Sequence, residues 1–305
     1  MKGVLMRKEW IAAPKRTSEI LKHYQLQAKK SLGQNFLMDP QVLEDMVHVA
    51  EVDKQTDVIE IGPGIGALTE FLAERARRVV SFELDQRMLP ILEAELGHYE
   101  NLTIVPQDIL KVDLQQEVAD YFPDSQRLVV VANLPYYITT PILFHLLEAQ
   151  LPIEAYALMM QYEVAERLTA SSGTKAYGAI TVVMDYYGQA EIALKVPHTA
   201  FKPQPKVDSA VLYLKARKEH PVELVNPDFF FKWVQACFQQ RRKTLWNNLK
   251  RFFSGRDQVE ERLMRALERC TIDPKIRAEK LDLADFARLE KALNQEGLIP
   301  QVSNG

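Results

Sequence analysis

Asn133-Leu-Pro-Tyr136 places a side-chain amide, a proline-stiffened turn and an aromatic face within one short stretch. That combination suits chemistry on an aromatic amine, which is a poor nucleophile because its lone pair is delocalised into the ring. A catalyst must hold such a nitrogen near tetrahedral geometry beside an electrophilic carbon. The Asn133 side-chain carbonyl and the Leu134 backbone carbonyl can accept the two N–H bonds of adenine N6, while Pro135 stiffens the turn and Tyr136 offers a face for the base. The lone pair then points at the methyl of a sulfonium donor. No strong general base is needed, since the alkylated amine is acidic enough to lose its proton to water. Without a ligand, the same residues read as an ordinary Asn-x-Pro turn followed by a packing pair of tyrosines.

Glu60-Ile-Gly-Pro-Gly-Ile-Gly66 follows an apolar run and opens a helical pattern near Ala67. Glycine leaves no side chain between a turn and a ligand, so Gly62 and Gly64 are candidate cofactor contacts, or else they close a tight strand-to-helix connection. The spacing lacks the three-residue offset of the dinucleotide fingerprint. Glu83, about twenty residues further on, can accept both hydroxyls of a ribose, a feature shared by nicotinamide and S-adenosyl-L-methionine sites. Asp108 suits either an adenine amine or the cap of the next helix. Phe201-Lys-Pro-Gln-Pro-Lys-Val-Asp208 is a stiff, extended loop. Phe201 reads as a second stacking face for a flipped base or as packing, and Lys202 and Lys206 as phosphate contacts.

These side chains need a frame that brings them to one edge. Asp57–Ile61, Val79–Phe82, Leu102–Val105 and Leu128–Val131 are short β-branched runs separated by segments long enough for crossover helices, the pattern of a parallel sheet. Ala155–Met160, Ile180–Tyr187 and Val207–Leu214 add three predicted strands, the last two paired antiparallel. The fold class is therefore α/β, a doubly wound, mostly parallel sheet of seven strands. Thr17–Gln25 and a segment capped by Asp39-Pro40 read as helices ahead of it. Beyond Lys215, Pro221 and Pro227 bracket a connector, and Asp228–Phe253, Asp257–Arg269 and Leu283–Leu293 show helical spacing. We expect a catalytic domain over residues 1–217 and a helical domain over 218–305. Arg241, Arg242 and Lys243 fall consecutively on a predicted helix, as a phosphate-contacting face or a solvated one, with Trp233 and Trp246 in its core. Met1–Lys8 and Gln301–Gly305 read as loose ends.

A hydrophobic content of 47% and a charged content of 26%, without a long apolar run or a signal-peptide pattern, exclude disordered, collagen-like and membrane classes. A cytoplasmic protein is expected. Cys237 and Cys270 lack zinc or redox spacing, so no metal is expected either. The net charge of -3 conceals segregation. Residues 1–34 hold eight basic and two acidic side chains, 201–256 hold twelve and four, and 51–124 hold six and sixteen. Two basic flanks suggest a polyanion gripped from both sides, against the plainer reading of solvated faces.

Four segments, Lys30-Ser-Leu-Gly-Gln-Asn-Phe-Leu37, Glu60-Ile-Gly-Pro-Gly64, Asn133-Leu-Pro-Tyr136 and Phe201-Lys-Pro-Gln-Pro-Lys-Val-Asp-Ser209, closely resemble the small-subunit (16S) ribosomal RNA dimethyladenosine transferases, the KsgA family. The similarity runs from about Trp10 to Leu293. It implies a Rossmann-like, S-adenosyl-L-methionine-dependent methyltransferase, monomeric, that dimethylates N6 of two adjacent adenosines in the 3′-terminal hairpin of the rRNA of the immature small ribosomal subunit. It also implies a cofactor set of Asn35, Leu37, Gly62, Glu83, Asp108 and Asn133, with Asn35 and Leu37 on a segment over the cofactor; from the residues alone, Gly-Gln-Asn-Phe reads first as a turn. Other readings are the sister family that methylates large-subunit (23S) rRNA and confers macrolide resistance, whose members are more basic with a different second domain, and an assembly factor acting mainly by binding the immature subunit. A nicotinamide dehydrogenase would need a hydride-handling His or Lys set that has no place here.

Overall fold

The computed structural model describes residues 9–29 and 32–300, so the expectations for Met1–Lys8, Lys30, Ser31 and Gln301–Gly305 lie outside the described residues. In chain order the first elements are α1 (Pro14–His23), β1 (Phe36–Leu37), α2 (Pro40–Val49), β2 (Asp57–Ile61), α3 (Ala67–Arg75), β3 (Arg78–Phe82), α4 (Leu89–Leu96) and β4 (Leu102–Val105). Then come α5 (Leu114–Tyr121), β5 (Leu128–Asn133), α6 (Thr139–Glu148), β6 (Ile153–Gln161), α7 (Tyr162–Leu168), α8 (Ala179–Tyr187), β7 (Gly188–Val196), β8 (Phe201–Lys202) and β9 (Ser209–Ala216). The last four helices are α9 (Pro227–Gln239), α10 (Leu245–Phe252), α11 (Val259–Arg269) and α12 (Leu283–Gln295). Among the described residues, no helix is long and apolar enough to cross a membrane.

The chain forms two compact units, one of residues up to Ala165 together with Glu191–Ala216, the other of Glu166–Ala190 together with residues from Arg217 onward. The first holds a seven-stranded sheet in the order β4-β3-β2-β5-β6-β9-β7. β2 lies parallel between β3 and β5, β4 joins β3 and β6 joins β5 in the same sense, and β9 runs antiparallel to β6. Every residue of β2 is buried, which is why a strand at the centre of a parallel sheet reads as an unbroken run rather than an alternation. Asp57, at its start, is fully buried, and its charge is met by the Arg77 guanidinium, whose Nε donates at 2.9 Å. The Asp39 carboxylate caps α2, accepting from the Gln41 amide at 3.0 Å, with Pro40 in the first turn. A ribbon not foreseen from the sequence pairs β1 with β8, setting Phe36 opposite Lys202 and Leu37 opposite Phe201.

Four expectations are corrected. Ile180–Tyr187 is the helix α8, not a strand, and the edge strand β7 begins directly after it. A short, uniformly apolar run does not distinguish a buried strand from a buried helix. What settles it is that Val182 and Tyr186, one helical turn apart, enter the core of the second unit with Phe230, Trp233, Leu249 and Phe286, while the Gly178 amide donates to the Thr181 hydroxyl at 3.2 Å at the helix start. In consequence residues 166–190 group with the helical unit rather than with the residues preceding position 217, and β9 pairs antiparallel with β6. Arg241, Arg242 and Lys243 stand in the turn between α9 and α10, not on a helix, because Gln240 leaves helical geometry and the Thr244 hydroxyl caps α10 by accepting from the Asn247 amide at 3.4 Å.

Glu60, fully buried in β2, accepts from the Ser81 hydroxyl at 2.6 Å through Oε2, while Oε1 has no hydrogen-bond partner among the described residues. Burial pushes its carboxyl up to about 7, against the pull of the Ser81 hydrogen bond and with the nearby Glu83 charge adding to the rise. The folded protein therefore keeps a proton that the unfolded chain releases near 4.5, so this group's contribution to stability is complete below that pH and is lost as pH rises towards 7. Glu60→Gln is expected to raise the thermal midpoint relative to the parent by a margin that widens between about pH 5 and pH 8; scanning fluorimetry across that window checks it, and a constant margin would contradict it. Arg77→Ala strands the buried Asp57 charge and should cost ~3 kcal/mol of unfolding free energy, read by urea denaturation.

Candidate active site

The carboxyl ends of β2, β3, β4 and β5 open on one pocket of about 1050 Å³, partly continuous with solvent. Its walls are the glycine turn after β2, Glu83-Leu84 after β3, Gln107–Ile109 after β4, Asn133–Ile138 after β5, and the segment Leu32–Leu37. That places the four loops where ligands bind in open α/β sheets.

The glycines of the first loop do two different jobs. Gly62 has φ +69°, and a Cβ there would meet nothing within 4 Å, so the turn presents bare backbone to open space. Gly66 has φ +92°, and a Cβ there would stand 2.6 Å from Leu96 Cδ1, so this glycine lets α3 begin against α4. Glu83 braces the same turn. Its Oε2 accepts from the Gly64 amide at 3.0 Å and its Oε1 from the Asp85 amide at 2.7 Å. Burial raises its pKa, and the two backbone donors oppose the rise. Each carboxylate oxygen retains a further acceptor site, which suits the vicinal hydroxyls of a ribose.

Asp108 lines the pocket and also caps its own turn, accepting from the Leu110 amide at 3.1 Å, so both of its expected roles are compatible with one position. Asn35 and Leu37 line the pocket from the preceding segment, with Asn35 Nδ2 donating to the Gly33 carbonyl at 3.1 Å and Leu37 buried in β1. Residues that sequence reasoning left without a role hold this segment. Gln34 Nε2 donates to Asp85 Oδ2 at 2.9 Å, and Gln34 Oε1 accepts from the Lys29 amide at 2.9 Å. Arg87 Nε donates to Asp85 Oδ1 at 2.9 Å and its Nη1 to the Gln27 carbonyl at 3.2 Å. The Arg87 guanidinium holds the Asp85 carboxyl well below the usual carboxylate range, outweighing burial, with Gln34 adding to the effect. Gln34 lies within the Lys30–Leu37 segment and Asp85 two residues after Glu83, so both adjoin residues with a candidate role.

Asn133 ends β5 opposite Met159. Among the described residues neither its side chain nor the Leu134 carbonyl takes part in a hydrogen bond, although the Leu134 amide donates to the Met159 carbonyl at 3.1 Å. The turn closes one residue later, where the Pro135 carbonyl accepts from the Ile138 amide at 3.2 Å and the Thr139 hydroxyl at 3.0 Å. Two acceptors without partners are thus left on adjacent residues that line the pocket. The Tyr136 hydroxyl is hydrogen-bonded to Ser209, and burial raises its pKa against that bond. Tyr137 is half-exposed and lies against Gly33, where a Cβ would stand 3.1 Å from its ring.

Other expected residues lie elsewhere. Phe201 is 1% exposed, sits in the core of the sheet unit and does not line the pocket, so of its two readings the structure displays packing rather than a stacking face. Lys202, which ends β8, and Lys206, on the loop after it, are both exposed. In the helical unit Arg241 Nη2 donates to the carbonyls of Lys175 at 2.7 Å and Tyr177 at 3.0 Å, bracing that loop, whereas Arg242 and Lys243 are exposed.

Residues 25–295 match the family model described as ribosomal RNA adenine dimethylase. A Streptococcus gordonii protein named ribosomal RNA small subunit methyltransferase A is 50% identical over 282 residues, covering 92% of this chain and 97% of the relative. A Latilactobacillus sakei protein of the same name is 49% identical over 288 residues, with coverage of 94% and 97%. Among solved structures, a dimethyladenosine transferase from Plasmodium falciparum aligns with a TM-score of 0.71 at 26% identity, covering 86% of this chain and 98% of that one. The 23S rRNA methyltransferase ErmE aligns with a TM-score of 0.64 at 30% identity, covering 86% and 100%. A match over so much of the chain means that this protein belongs to the ribosomal RNA adenine dimethylase family and is a methyltransferase.

Proposed function

We propose that the protein transfers methyl groups from S-adenosyl-L-methionine to N6 of two adjacent adenosines in the 3′-terminal hairpin of small-subunit rRNA, acting on the immature small subunit as a cytoplasmic monomer. The observation that carries this reading is the pair of unengaged acceptors, the Asn133 side chain and the Leu134 carbonyl, at the end of β5 beside the pocket. Glu83 would hold the donor's ribose, Asp108 its adenine amine and Gly62 its backbone-facing edge, with Asn35 and Leu37 covering it. When bound, the sulfonium supplies an electrophilic methyl and its own leaving group.

The chain's own residues then have positioning work to do. Asn133 Oδ1 and the Leu134 carbonyl accept the two N6 hydrogens, which draws the nitrogen out of conjugation and aims its lone pair across the pocket. Pro135 fixes the turn, and Tyr136, tethered through its hydroxyl to Ser209, supplies the stacking face. The amine's proton leaves to solvent after transfer, so no side chain needs to act as a strong base. Phe201 serves by packing behind Leu37, and Lys202, Lys206, Arg242 and Lys243 meet phosphates. Relatives named for the small subunit at 49–50% identity favour that substrate over the large-subunit rRNA named for a structure at 30%.

The test is to incubate the protein with labelled S-adenosyl-L-methionine and undermethylated small or large subunits, then map the labelled bases. Label on two adjacent adenosines of the small-subunit hairpin is expected; label confined to large-subunit rRNA would overturn the reading. Asn133→Ala should lower the transfer rate by roughly 100-fold or more while leaving subunit binding intact. Tyr136→Ala should lower kcat more than it weakens donor binding, as read by steady-state kinetics beside calorimetry.

A further inference from the structure

The sheet unit carries a charged face that the chemistry above does not use. On α1, Lys15, Ser18 and Lys22 are spaced three and four residues apart, which places them along one side of the helix, and both lysines are exposed. A third lysine joins them from a distant part of the chain, since Lys202 Nζ donates to Ser18 Oγ at 3.1 Å. Among the described residues none of the three lysines has a carboxylate within ion-pair distance. The acids of this region are already answered. Glu95 accepts from Arg16 Nη2 through both oxygens, at 2.7 and 2.6 Å, and Glu19, on α1 between the two lysines in sequence, lies 3.8 Å from the same guanidinium.

We propose that this face of α1, extended by Lys202, is a phosphate track that holds the RNA strand leading to the pocket. The inference rests on the function proposed above and deepens it by naming where the substrate backbone runs. Its position follows from the β1–β8 ribbon. Lys202 pairs opposite Phe36, and Phe36 lines the pocket, so the backbone carrying the last lysine of the row lies one strand away from a pocket-lining residue. Its occupant follows from its chemistry. Flexible, strongly hydrated point charges without acidic partners suit a polyanionic backbone read without regard to sequence. A lipid surface would need an apolar face beside the charges, but Ile20 and Thr17, on the other side of α1, are buried in the protein. The Ser18 hydroxyl donates to the Pro14 carbonyl at 2.7 Å, so it serves this face by accepting from and holding the Lys202 ammonium, not as a donor to phosphate.

The experiment measures binding of the full-length protein to undermethylated small subunits between about 50 and 200 mM salt, for the parent, Lys15→Ala/Lys22→Ala and Lys15→Arg/Lys22→Arg. Each phosphate contact contributes about 0.7–0.9 to the slope of log affinity against log salt, so the alanine pair should flatten that slope by about 1.5 and weaken binding at least about tenfold near 100 mM salt. The arginine pair should keep the parental slope, and S-adenosyl-L-methionine affinity should be the same in all three. An unchanged slope in the alanine pair, with the parent still methylating small subunits, would overturn the track alone. A parent that methylates no small-subunit adenosine would overturn the functional reading beneath it.

Discussion

The site depends on one constraint, the shared register of the parallel strands. Because Ile61 stands opposite Phe82, and Phe82 opposite Val105, three adjacent strands stop at the same level, and their loops leave the sheet together. β5 is held to β2 through Val131 beside Glu60, so Asn133 emerges at that edge as well. A slip of one residue in any of these pairings would turn the strand's side chains to the opposite face and displace its loop. Full burial of β2 fixes its register, since both faces are committed to packing. The catalytic geometry is therefore inherited from apolar contacts some distance below the pocket.

Above that edge, polar groups divide into those already spent on the protein and those held in reserve. Glu83 is partly spent, because two backbone amides occupy it and thereby lock the glycine turn to the tip of β3. Asp85 is wholly spent on Arg87 and Gln34, which fasten the segment carrying Asn35 and Leu37. Asn133 and the Leu134 carbonyl are not spent at all. Buried or half-buried acceptors without partners are tolerated where a ligand supplies the donors, which is why the contrast among neighbouring polar groups, more than any single residue type, marks the site.

Much of this was legible from residue order. β2 and β4 match their predicted ranges, because short β-branched runs bounded by turn residues have few other conformations open to them. Gly62, Glu83 and Asp108 could be singled out because each follows closely on such a run, whereas Asn35 and Leu37 follow none and entered only through the family resemblance. Legibility failed where local pattern was ambiguous or where the deciding contact lay far along the chain. Ile180–Tyr187 satisfies strand composition, and only the core surrounding Val182 and Tyr186 makes it a helix. The basic triplet at 241–243 has the composition of a helix, but Thr244 caps a new helix and leaves the triplet in the turn before it. The fate of Phe201 and the bracing of Tyr136 by Ser209 both depend on pairings across long stretches of sequence, which no local window contains.

The grouping of residues 166–190 with the helical unit has a consequence for heredity and for engineering. The helical portion is not a terminal cassette that a single breakpoint could add or remove. A gene ending after codon 217 would still encode α7 and α8, with Val182 and Tyr186 stripped of the partners that shield them from water. Recombination that exchanges the helical portion between relatives must cut twice, once on either side of α8, and must carry that insert along with the tail.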